Sequence, residues 1–333
     1  MRLLLKTLIP LLLIIAVSAS YYEYERFIST PINVTNGETV TIEPGSNLQQ
    51  ISTWLTQSGI TDFPSSYLYW YGRYNKSAHL IKAGEYRLNP SDTLPELLTQ
   101  FINGEVVQHA FTIIEGMTSQ QLLDALKADK RLTQSLKTNS LKEIMLMMDG
   151  NNRHGEGEFA PETYYFSAGT TDKAILKRAY QLMQDNLAEA WLNKADNLPY
   201  KTPYEALIMA SIIEKETGNA AERPEIAGVF VRRLQKGMRL QTDPTVIYGM
   251  GTQYNGNIRR KDLRRDTPYN TYTRPGLPPG PIALPSKASI VAALNPAEGN
   301  TLYFVAMGQE GRHAFSKTLA EHNKAVRKYQ LKR

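Results

Sequence analysis

The sequence predicts an α+β protein in three parts: an apolar N-terminal helix, a small α+β module, and a larger mixed, helix-rich domain. Three observations predict this. An apolar run opens the chain, a strand–turn–helix pattern recurs downstream of it, and helical periodicity dominates most of the remainder. The chain has 333 residues, enough for about two domains. Its 42% hydrophobic and 21% charged content is globular and excludes a disordered, collagenous or multi-pass membrane protein. The absence of cysteine excludes a disulfide scaffold, a thiolate metal site and a cysteine nucleophile. A net charge of +6 favours an anionic partner without choosing among nucleic acid, lipid and acidic polymer.

Residues 1–22 form the first element. Arg2 and Lys6 precede Thr7-Leu-Ile-Pro-Leu-Leu-Leu-Ile-Ile-Ala-Val-Ser-Ala19, and a basic flank of this kind stays cytoplasmic while the rest is exported. From Leu3 to Tyr22 the run is about 20 residues, the length that spans a bilayer. Tyr21, Tyr22 and Tyr24 then sit at the outer interface. Two outcomes stay open: a retained signal anchor, and cleavage after the small residues Val17-Ser18-Ala19.

The module spans residues 35–108. Val40-Thr-Ile-Glu-Pro-Gly45 reads as a strand and turn, with Ser46 or Asn47 capping a helix that carries Leu48, Ile51, Trp54 and Leu55 on one face. The pattern returns in Phe111-Thr-Ile-Ile-Glu-Gly116 and the helix from Ser119, so that Thr41, Ile42, Gly45, Gln49 and Gln50 match Thr112, Ile113, Gly116, Gln120 and Gln121. Ala83–Pro90 followed by Thr93 is a looser copy. Repeats of this number suggest a small binding or spacer module, not a solenoid.

Residues 109–333 form the larger domain, mainly helical from Asp124 to Trp191 and interrupted by the loop Asp149–Tyr164. Within that loop Gly155-Glu-Gly-Glu-Phe-Ala160 has the spacing of a dinucleotide fingerprint. Glu156 and Glu158 would place negative charge where a pyrophosphate must sit, which rejects it. His79, His109, His154, His313 and His322 are too scattered to form a visible metal set and read as solvated or core histidines.

The segment Pro203–Gly218 reads as a helix, with Pro203 in its first turn and Gly218 at its stop. Met209, Ile212, Ile213 and Glu216 share one stripe, and Glu214 is turned about 200° from Glu216. The two carboxylates therefore have different jobs. A carboxyl among apolar neighbours holds its proton and can donate it as a general acid. The alternative is a structural ion pair of Glu216 with Arg232 or Arg239. Downstream, Gly237–Gly249 and Pro268–Pro285 are rich in Tyr, Asn, Gln, Thr, Gly and Pro, the residue types that stack on sugars and bond to their hydroxyls. Asp243 is either a second acid or a turn residue before Pro244. Tyr248, Tyr269 and Tyr272 either pack in the core or contact sugar.

Ser211-Ile-Ile-Glu-Lys-Glu-Thr217, Met238–Gly251, Tyr269-Asn-Thr-Tyr272, Gly276-Leu-Pro-Pro-Gly280, Leu302-Tyr-Phe-Val305 and His313 with Phe315 together resemble the endolytic murein transglycosylases, the YceG-like family. The resemblance covers essentially the whole chain. It implies a single-pass inner-membrane anchor, a LysM-like module and a lytic-transglycosylase catalytic domain in the periplasm. It also implies non-hydrolytic cleavage of MurNAc-β-1,4-GlcNAc bonds in nascent strands, leaving 1,6-anhydroMurNAc ends. Glu216 falls on the family's catalytic glutamate, acting first as acid and then as base. The implied glycan-binding residues are Glu156, Phe159, Glu162, Tyr164, Gln241, Thr242, Asp243, Tyr248, Tyr269, Asn270 and Tyr272. Glu158 stands where an aromatic or apolar residue is expected. Peptidoglycan strands and peptidoglycan synthases (penicillin-binding proteins) are the implied partners, without nucleic acid, cofactor or metal. Two other readings remain: a hydrolase pairing Glu216 with Asp243 or Glu162, and a non-catalytic peptidoglycan-binding scaffold.

Overall fold

The computed structural model describes residues 2–149, 154–308 and 311–331, so positions 150–153 of the acidic loop lie outside the described residues. The chain divides into two compact units, residues 1–109 with 165–169, and residues 110–164 with 170–333.

The first unit begins with α1 (Arg2–Ser29), a continuous helix whose segment Leu8–Ser29 is long and apolar enough to cross a membrane. The helix runs past the apolar stretch and ends inside the unit. Phe27 is buried against the rings of Phe63, Tyr67 and Tyr71, at 5.5–5.8 Å between centroids. β1 (Thr39–Ile42) leads through a turn at Gly45 into α2 (Leu48–Gln57), capped by Asn47 in a reciprocal bond with Gln50. α3 (Ser65–Tyr74) follows, then β2 (Gly84–Arg87) and α4 (Leu94–Asn103), whose cap is Thr93 paired with Glu96. β1 and β2 are antiparallel, with Val40 opposite Tyr86. Alternation along β1 sends Val40 and Ile42 inward, onto Leu55, Leu97 and Phe101. The Tyr86 hydroxyl reaches this core and donates to the Lys82 carbonyl at 2.7 Å, which satisfies its polar end.

One expectation changes here. Trp54 is 42% exposed, and the inward position near it is taken by Ser52, whose hydroxyl donates back to the Leu48 carbonyl. A serine that satisfies itself on its own helix can be buried at little cost, which leaves the indole free to point outward. The copy of the repeat at Phe111–Gly116 belongs to the second unit. Its strand β3 (His109–Thr112) is followed by a turn whose backbone pairs with Leu284: Gly116 N–H donates to the Leu284 carbonyl, and Leu284 N–H to the Met117 carbonyl. Gly45 and Gly116 nonetheless make the same left-handed turn, at φ +87° and +75°.

After β3 come α5 (Ser119–Ala128) and α6 (Leu141–Asp149), and then β4 (Thr163–Phe166), which pairs with β3. α7 (Asp172–Leu192), α8 (Pro203–Glu216) and α9 (Arg223–Gln235) supply most of the core. The short helices α10 (Asp243–Met250) and α11 (Arg260–Arg264) precede α12 (Lys287–Leu294). The antiparallel hairpin β5 (Tyr303–Ala306) and β6 (His313–Ser316) and the terminal helix α13 (Leu319–Tyr329) complete the second unit. α8 is buried on every side from Ala206 to Ile213, with α12, α7 and α9 around it. The narrow apolar stripe read from its sequence is therefore part of a helix enclosed all round along its middle, and only its two ends reach open space.

Candidate active site

Glu216 is the last helical residue of α8 and lines a cavity of about 550 Å³. Its side chain is half-buried, with the carboxyl set among protein atoms at the cavity wall. That desolvation pushes its pKa up to about 7, opposed by a hydrogen bond from Thr242 and reinforced by the Asp243 charge. Neither Arg232 nor Arg239 pairs with it. Arg232 bonds the carbonyls of Ala297 and Thr301, and Arg239 bonds the Tyr272 carbonyl.

The hydroxyl of Thr242 donates to Glu216 Oε1. Gln241, just before it, adopts φ +53°, a left-handed conformation costly for a residue with a side chain. The conformation is held because Gln241 N–H donates to the Thr271 carbonyl and Thr242 N–H to the Thr271 hydroxyl. Thr245 bridges the same pair: its hydroxyl donates to the Thr242 carbonyl at 2.7 Å and lies 2.9 Å from the Thr271 hydroxyl. Local strain is thus spent on aiming one hydroxyl at one carboxylate. Asp243, first residue of α10, accepts a 2.5 Å bond from the Tyr272 hydroxyl. Burial and the Asp243 carboxylate both hold that hydroxyl in its protonated form. Gln241, Asp243 and Tyr272 line the cavity with Glu216.

The far wall comes from the C-terminal hairpin and α13. Arg233 is buried and lines the cavity. Its Nε donates to the Leu302 carbonyl and its Nη1 to the Leu240 carbonyl, while its guanidinium lies 5.1 Å from the Tyr303 ring centre. His313 Nδ1 sits 2.8 Å from Glu222 Oε2, and its backbone N–H donates to the other Glu222 oxygen. His322 stacks on Tyr303 with centroids 5.3 Å apart, and burial together with Arg233 keeps its pKa low. From the sequence alone both histidines read as solvated or core residues. The Leu302-Tyr-Phe-Val305 and His313 pattern is a signal for His313, though the motif alone does not tie it to Glu216, and no motif marks His322.

Glu214 has the separate job its helical position indicated. It is almost fully buried, lies 3.3 Å from Arg223 Nη2, and accepts from both the N–H and the hydroxyl of Ser286. This joins α8 to the start of α12.

None of the described residues of the acidic loop lines the cavity. Glu156 is 2% exposed and accepts from the Ser119 N–H and hydroxyl, the Gly157 N–H and the Tyr248 hydroxyl. Burial raises its pKa against those bonds. Phe159 is fully buried near Tyr180, and Tyr164 is buried with its hydroxyl on the Ala160 carbonyl. Glu162 is exposed, its carboxylate accepting from Thr163 N–H. Tyr248 and Tyr269 pack ring to ring at 4.8 Å. Asn270 is 1% exposed, its amide donating to the carbonyls of Asp262, Leu263 and Arg265. None of these seven residues lines the cavity around Glu216. Turn and core demands select the same Tyr, Asn and Glu that a sugar would. Among the described residues no three His, Asp or Glu side chains are grouped to hold a metal ion.

The sequence model of the YceG-like family matches residues 40–328. A protein of Bacillus subtilis (strain 168) named endolytic murein transglycosylase is 33% identical over 331 residues, covering 92% of this chain and 89% of its own. A protein of the same name from Streptococcus pneumoniae serotype 2 is 29% identical over 346 residues, and the match spans 62% of that longer chain. The crystal structure of a yceG-like protein from Listeria monocytogenes is 32% identical with a TM-score of 0.53, covering 87% of this chain and 99% of that one. With its glutamate, threonine and histidine segments all inside the matched region, the chain belongs to the YceG-like family.

Proposed function

We propose that this chain is an endolytic murein transglycosylase, a lyase that cleaves MurNAc-β-1,4-GlcNAc bonds within nascent peptidoglycan strands and leaves 1,6-anhydroMurNAc ends. The observation that carries this reading is the Glu216 carboxyl, held near neutrality in a polar cavity next to the Asp243 anion. Protonated Glu216 gives its proton to the glycosidic oxygen as the bond from C1 breaks, and Asp243 offsets the positive charge that builds on the sugar. The resulting Glu216 carboxylate, oriented by Thr242, takes the proton of the same sugar's 6-hydroxyl as that oxygen closes on C1. The acid is regenerated and no water is consumed. One group must both give and regain a proton, which is fastest when its pKa lies near the working pH. The curated relatives with the same name support the substrate class.

In this reading α1 anchors the chain in the bacterial inner membrane with the rest in the periplasm, beside the peptidoglycan synthases (penicillin-binding proteins) that make the strands. The β1–α2 and β2–α4 units act as a LysM-like element that positions glycan. A purified first unit that fails to sediment with insoluble sacculi counts against that last role. The test of the chemistry is digestion of sacculi in oxygen-18 water, with products read by mass spectrometry. Anhydro ends without label are expected, and label at the new reducing ends overturns the reading. A hydrolase pairing Glu216 with Asp243 is the second reading, favoured by their shared cavity, and the same experiment detects it. Glu162 is exposed and does not line that cavity, which favours Asp243 as the partner in such a hydrolase.

A further inference from the structure

The first unit carries an aromatic surface that its own fold leaves uncovered. α3 reads Ser-Ser-Tyr-Leu-Tyr-Trp-Tyr-Gly-Arg-Tyr. Leu68 and Gly72 face inward, and a side chain at Gly72 would collide with Leu48. Trp70 lies two residues from each, on the opposite face, and is 65% exposed, while Tyr74, one turn on, is 88% exposed. Scattered exposed apolar residues need no explanation, but these are not scattered. Together with Tyr67 and Tyr71 they form one side of a groove of about 550 Å³, whose other side is α1 at Ala19, Ser20, Glu23, Tyr24 and Phe27.

The position of that groove along α1 says what covers it. Phe27 packs on Phe63, just before α3, and on Tyr67 and Tyr71 within it. Trp70 and Tyr74 line the groove together with Ala19 and Ser20, which places them at the level where the apolar run ends. If α1 spans the bilayer with about 20 residues up to Tyr22, that level is the outer membrane–water interface, where Trp and Tyr rings are most favourably placed. Tyr21, Tyr22 and Tyr24 are exposed on α1 at the same height. Arg73 and Lys76 are exposed beside Tyr74, where cations meet lipid phosphates. Glu23 is the acidic residue in the groove and lies 3.5 Å from Arg26.

We propose that the groove between α1 and α3 is a lipid-docking surface: Trp70 and Tyr74 insert into the interfacial layer of the leaflet on the module's side of the membrane and fix the first unit against it. The proposal rests on α1 being a membrane anchor. Its consequence is orientational, because a helix that spans a bilayer is free to rotate and tilt unless a second point on the same unit touches the interface.

The test uses the full chain and the single surface variant Trp70→Phe, each reconstituted into phosphatidylethanolamine–phosphatidylglycerol vesicles with and without brominated acyl chains. Flotation and an alkaline wash come first, and a chain that washes off overturns the anchor and the proposal with it. For a chain that stays, tryptophan emission is expected to contain a blue-shifted component that brominated lipid quenches and aqueous iodide does not. That component should be missing in Trp70→Phe. An anchored chain whose lipid-quenched component is equal in both, or whose Trp70 emission responds to iodide or to added glycan fragments instead, overturns the docking surface while leaving the anchor intact.

Discussion

Replacing Glu216 by glutamine removes the proton that the proposed chemistry moves, and it should also stabilise the protein above neutral pH. The carboxyl titrates near 7 in the folded chain and near 4.5 when unfolded. Between those values the folded state holds a proton that the unfolded state has released, so stability is highest below about pH 4.5 and falls as pH rises to about 7. At about 1.36 kcal/mol per pH unit the gap amounts to at most about 3 kcal/mol, and solvent in the cavity trims it. Glutamine is uncharged at every pH, and its amide oxygen still accepts from Thr242. The advantage of Glu216→Gln should therefore be near zero at pH 4 and grow to about 2–3 kcal/mol at pH 8. For a unit of this size that raises Tm by about 4–12 °C. Thermal unfolding of wild type and variant at both pH values, in one detergent, measures it, while cleavage falls by about 10²–10⁴-fold. A stability difference that does not change between pH 4 and pH 8 would refute the desolvated-carboxyl argument, whatever the loss of activity.

Three further outcomes follow from the same geometry. The alkaline limb of kcat/KM should lie near pH 7, move higher in Thr242→Val, which loses the bond favouring the carboxylate, and move lower in Asp243→Asn, which loses the opposing charge; pH–rate profiles that do not separate in these directions disprove the assignment. Glu214→Gln breaks the bond with Arg223, so it should cost about 1–3 kcal/mol in denaturant titrations yet leave the alkaline limb unmoved, and a shifted limb would place Glu214 in the reaction. Phe159→Ala should destabilise by about 3–5 kcal/mol with KM for glycan strands unchanged, and a raised KM in a folded variant would return Phe159 to the substrate groove.

The sequence by itself determined what is set by neighbours in the chain. The apolar run of α1, the cap at Asn47, the turn glycines Gly45 and Gly116 and the opposed directions of Glu214 and Glu216 all depend on contacts within a few residues. The family was legible for a related reason, since its motifs are short contiguous strings. Tertiary structure decided which strings meet. Glu216, Arg233, Asp243, Tyr272, Tyr303, His313 and His322 surround one cavity although about a hundred residues separate the first from the last. It also decided direction: Phe159 and Asn270 face inward and Trp54 outward, and only packing against distant elements fixes that. The elevated pKa of Glu216 belongs to this second class. The helix periodicity placed the carboxyl among apolar residues, but its desolvation comes from the walls that Thr242, the β5–β6 hairpin and α13 bring from elsewhere in the chain.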